Sequence, residues 1–63
     1  MIEYAKTILP RFSYSESLFK KELMKCLRWA KPHEINELKA WCILAFYHQY
    51  PHVLDDVFTH IAA

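Results

Sequence analysis

His48 and His52 stand four residues apart, the spacing that places two imidazoles on one helix face, and Asp55 or Asp56 follows closely enough to add a carboxylate. Metal binding is the chemistry such a pattern would serve. Pro51 lies between the two histidines, however, and a proline ring clashes with the helical turn that would have to join them. His33, Cys26 and Cys42 add no CxxC or HxxxH arrangement. Neither a metal nor a cofactor is expected.

Catalysis is no better supported. The chain has no GxSxG elbow, no HExxH and, lacking any glycine, no phosphate-cradling glycine loop. Cys42 sits within Trp41–Tyr47, an apolar run in which a thiol is expected to be buried, with a raised pKa. A reactive cysteine needs the opposite setting. Asp55 and Asp56 are consecutive, so on a helix they diverge by about 100° and do not face each other. They are read instead as first-turn complements to a helix dipole. The chain is expected not to be an enzyme.

A basic arc is the clearest candidate for binding. On a helical wheel Lys20, Lys21, Lys25, Arg28 and Lys31 occupy a continuous sector, with only Glu22 against them between positions 20 and 31. Trp29 lies away from the apolar stripe of the same segment, with Leu18 near it. Such a face could dock an acidic protein surface, with Lys21, Lys25 and Arg28 around Trp29 as the anchor. It could also grip a phosphate backbone and stack on a base. Against both stands the ordinary role of lysines and arginines in solvating a helix face.

The elements that carry these residues follow from the missing glycine and the three prolines, Pro10, Pro32 and Pro51. Without glycine the tight hairpin turns of β structure are disfavoured, and proline becomes the main helix breaker. Ile2, Ala5, Ile8 and Leu9 share one face of a first segment whose shortness predicts a frayed or partial helix ending at Pro10. A second helix starts at Ser13 or Ser15, carries Phe19, Leu23, Cys26, Leu27 and Ala30 as its stripe, and stops before Pro32. Pro32 opens a third, with Ile35, Leu38, Trp41, Cys42 and Ala45 as its main stripe. Beyond Pro51, Val53, Leu54, Val57, Phe58 and Ile61 share a face, with His60 in the last turn.

The third segment breaks the pattern. Ile43, Leu44, Phe46 and Tyr47 fall on its remaining faces, so its C-terminal half is apolar nearly all round. A helix of that kind is either central in its bundle or covered by another chain. With 54% hydrophobic and 16% aromatic residues in only 63, the chain carries more bulky apolar surface than a small core covers. Self-association as a dimer, using Ile43, Leu44, Phe46 and Tyr47, is the expectation.

Eight basic against seven acidic residues, a net charge of +1, do not make the basic footprint of a nucleic-acid-binding domain. The first twelve residues lack a basic stretch followed by an apolar one, so no secretory signal is expected. The run Trp41–Tyr47 is far short of the ~20 residues that span a bilayer. If the segments flanking Pro32 form an antiparallel hairpin, Cys26 and Cys42 are offset by about 7–8 Å along it, beyond disulfide reach. Free thiols and a cytoplasmic setting are expected.

Taken together, the sequence predicts a single all-α domain over residues 1–63, a small bundle of three main helices plus a short N-terminal one. Its expected role is that of a non-enzymatic protein–protein interaction or regulatory module. A nucleic-acid-binding accessory protein that uses the basic arc is the second reading.

Overall fold

Pro32 and Pro51 each open a helix. In a computed structural model of the chain, which describes residues 2–62 and the side chains of 2–59, the elements are α1 (Ile2–Arg11), α2 (Glu16–Trp29), α3 (Pro32–Phe46) and α4 (Pro51–Ala62). The domain is all-α. The expectations placed on the side chains of His60 and Ile61 lie outside the described residues.

α1 is a complete helix rather than a frayed one, and it runs through Pro10. Ala5 and Leu9 are fully buried, so tertiary packing supplies what a ten-residue helix lacks alone. Pro10 deprives only the carbonyl of exposed Lys6 of its helical donor, an acceptor that water can satisfy. The Phe12 N–H then donates to the Leu9 carbonyl at 3.1 Å and closes the end.

Of the two candidate starts for α2, Ser15 is the N-cap: its backbone is extended and its Oγ accepts from the Leu18 N–H at 3.4 Å. Ser13 instead donates to the Pro10 carbonyl at 2.8 Å. α2 ends at Trp29 because Ala30 and Lys31 are both extended ahead of Pro32. At the start of α3, Glu34 Oε1 accepts from the Lys31 N–H at 2.8 Å, and that bond holds the Glu34 carboxyl below its ordinary pKa. Since α4 begins at Pro51, Asp55 and Asp56 lie in its second turn, not its first, and serve as side-chain partners instead.

The order of packing departs from a simple hairpin. α1 and α4 each pack against both α2 and α3, whereas α2 and α3 make few close backbone approaches. Phe19 of α2 and Phe46 of α3 fill the space between them, and Tyr50 stacks on Phe19 at a centroid separation of 5.0 Å. The core gathers Ile2, Ala5 and Leu9 with the stripes of α2 and α4 around Leu38, Cys42 and Phe46. A radius of gyration of 10.3 Å matches the ~10.6 Å of a compact chain of this length. One copy therefore closes its own core, and surplus apolar side chains are left outside it.

Candidate functional site

Two helix faces stand out, on different elements. On α2 the basic arc is partly committed to intrachain pairs. Lys20 Nζ lies 3.0 Å from Asp56 Oδ2 and ties α2 to α4. Lys25 Nζ lies 3.4 Å from Glu22 Oε2, an ion pair not aligned as a hydrogen bond; no other donor reaches that buried oxygen among the described residues. Lys21 and Arg28 are exposed and have no acidic partner among the described residues. Trp29 is 71% exposed, a large indole left in solvent next to Arg28 and one turn from Lys25, with Lys21 a further turn away.

α1 adds a residue to this face that no local pattern signals. Tyr4, half exposed, lines an open cleft of about 320 Å³ with Lys25, Cys26 and Trp29. Cys26 is itself buried, and its thiol pKa is raised by burial and then by the nearby Glu22 carboxylate. Two aromatic rings and a lysine ammonium at the rim suit a ligand with both an apolar and an anionic part.

On α3 the all-round apolar segment resolves into two separate faces. Leu38, Cys42 and Phe46 point into the core, flanked by the partly buried Ile35, Trp41 and Ala45. Phe46, expected among the self-association residues, is only 6% exposed and packs against Phe19 and Trp41, so it belongs to the core. Its wheel position beside Cys42 and Ile35 puts it on the inward side. Ile43, Leu44 and Tyr47 do lie outside, Leu44 at 85% exposure. Exposed Ala40 precedes them. Together these four make an i, i+3, i+4, i+7 stripe, the pattern by which a helix docks on another. Ala40 was legible in the sequence through that spacing.

Beside the stripe an open cleft of about 220 Å³ runs between α3 and α4, lined by Lys39, Ile43, Leu54, Asp55, Phe58 and Thr59. The Tyr47 hydroxyl donates to Asp55 Oδ2 at 3.4 Å at one end of it.

The histidines do not converge. His48 lies in the turn before α4, whereas His52 lies in its first turn beside Glu16, Lys20 and Asp56. The Lys20 ammonium occupies the Asp56 carboxylate there. Among the described residues no group of three or more His, Cys, Asp or Glu could hold a metal ion. Cys26 and Cys42 are free and buried, and burial pushes the Cys42 thiol up to about 12. Among the described residues no helix is long and apolar enough to cross a membrane.

No protein-family model, curated protein or solved structure matches the chain.

Proposed function

We propose that the chain is a small, non-enzymatic helical interaction or regulatory module that self-associates through the outer face of α3. The observation that carries this reading is the second apolar stripe, Ala40, Ile43, Leu44 and Tyr47, exposed on a helix whose opposite side already completes the core. Contiguous apolar patches on compact domains mark association surfaces. Lys21, Lys25, Arg28 and Trp29 on α2 form a separate face for an acidic protein partner. Two free, buried thiols suit a reducing, cytoplasmic setting.

Sedimentation equilibrium over a wide concentration range tests self-association. A dimer is expected for the native chain, and a folded monomer for Leu44→Asp. A native chain that stays monomeric at the highest concentrations overturns the reading.

The exposed indole of Trp29, on the same helix as Lys21 and Arg28, which have no acidic partner among the described residues, favours one second reading, a nucleic-acid-binding accessory role. Its mark would be quenching of Trp29 fluorescence by generic single-stranded DNA, with affinity falling steeply as salt rises. Charge reversal at Lys21, Lys25 and Arg28 would abolish it. Absence of binding at low salt eliminates that role and leaves the protein-docking one.

A further inference from the structure

Self-association through α3 leaves open the relative direction of the two helices. Resting on that self-association, we infer that two copies pair about a two-fold axis with their α3 helices antiparallel. Ala40 of each copy then lies opposite the partner's Tyr47, and Lys39 of each lies beside the partner's Asp55.

Side-chain size favours this direction. The stripe is centred between Ile43 and Leu44, and reversal about that centre sets position 40 against 47. Each small methyl then meets a large phenol ring, and Ile43 and Leu44 meet their own counterparts in the middle. A parallel pair would place Ala40 on Ala40 and Tyr47 on Tyr47, with a void at one end and a clash at the other. Facing helices pack by setting large residues against small ones. Antiparallel helix dipoles also attract where parallel ones repel.

Charge on the flanks agrees. In an antiparallel two-fold pair, each flank of α3 meets the same flank of the partner, reversed in direction. α4 runs along the flank that carries Lys39, and Asp55 lies at the Tyr47 end of it. Within one copy Lys39 is eight residues from Tyr47, about 12 Å along the helix, and has no acidic partner among the described residues. Reversal brings its ammonium to the partner's Asp55, twice per dimer. On the opposite flank it brings exposed Glu37 towards the partner's His48.

Area calls for a contact wider than the stripe. A stable interface covers about 800 Å² per partner, nearly a fifth of the 4334 Å² surface of this chain. Four side chains do not reach that figure, and in the antiparallel pair the contact widens onto both flanks, the α4 rim with Asp55 and Thr59 on one side and Glu37 with His48 on the other.

Engineered thiols decide the direction, because Cys26 and Cys42 are buried and do not compete. Under mild oxidation a mixture of Ala40→Cys and Tyr47→Cys chains should cross-link to each other, while Ala40→Cys alone should not. Charge exchange gives a second measurement that keeps Tyr47 intact. Lys39→Glu and Asp55→Lys should each weaken the dimer by about 3- to 30-fold, and the double variant should recover most of that loss. Rapid self-cross-linking of Ala40→Cys, or no recovery in the double variant, overturns the antiparallel arrangement alone. A monomeric native chain, or a dimer indifferent to Leu44→Asp, overturns self-association through α3 and this arrangement with it.

Discussion

Phe19 of α2 and Phe46 of α3 pack with ring centroids 4.8 Å apart and planes inclined by 56°, joining two helices whose backbones hardly approach. Trp41 meets the edge of Phe46 at 5.5 Å and Tyr50 stacks on Phe19 at 5.0 Å, so four rings form a row through the molecule. Offset and edge-on contacts of this kind add to simple burial. The row spaces α2 and α3 and lets α1 and α4 pack into both flanks. It also consumes Phe46, and so leaves the outer face of α3 to Ile43, Leu44 and Tyr47.

Truncation separates those two roles. Phe46→Ala should cost ~3–5 kcal/mol, comparable to the whole stability of so small a domain, and leave the chain largely unfolded by circular dichroism. Leu44→Ala, at a concentration where the chain is monomeric, should move stability by no more than about 0.5 kcal/mol in urea titration.

Ser15→Ala should destabilise by about 1 kcal/mol, since it removes the acceptor for the Leu18 N–H at the start of α2. Ser13→Ala removes only an exposed hydroxyl bonded to the Pro10 carbonyl and should cost a few tenths of a kcal/mol. Equal losses in urea titration would contradict the assignment of the cap.

The Tyr50 hydroxyl donates to the Ser13 carbonyl, which also accepts from Gln49 Nε2 at 3.0 Å. Tyr50→Phe should therefore cost only ~0.5–1.5 kcal/mol, because the acceptor keeps a partner. Combined with Gln49→Ala the loss should exceed the sum of the two single changes, as measured in a double-mutant cycle.

Lys20 and Lys21 are adjacent but differ in commitment. Lys20→Glu should lower stability by up to about 1 kcal/mol, an effect that shrinks as salt is added, because it reverses the exposed pair with Asp56. Lys21→Glu should leave the thermal midpoint unchanged.

Burial holds Cys42 protonated to about pH 12, against 9.0 for an open thiol, and raises Cys26 in the same direction. Between those two values the unfolded chain has released the Cys42 proton and the folded chain has kept it. Unfolding then releases this proton, so the Cys42 contribution to stability falls as pH rises above about 9. Below that value the thiols add no pH dependence. Cys42→Ala should flatten the alkaline decline. Labelling of Cys42 by a thiol reagent near pH 8 should proceed at the rate of global unfolding.

The number of helices, their joints at Pro32 and Pro51 and most core stripes could be read from residue order, because each is a local matter. Pro32 acts on its own turn and the residue before it, Ser15 on the N–H three residues on, and Phe19, Leu23 and Leu27 on a periodicity of one helix. Local rules were also enough to place Trp29 outside and Cys42 inside. They failed where the deciding contact was distant. α1 forms a full helix past Pro10 because Ala5 and Leu9 are buried against α2 and α3, and Tyr4 reaches the Trp29 cleft only through that packing. For α3, periodicity tells which residues share a face. With apolar residues on every face it cannot tell which one turns inward. Phe19 settles that by taking Phe46 as its neighbour, and the remaining stripe from Ala40 to Tyr47 is exposed as a consequence.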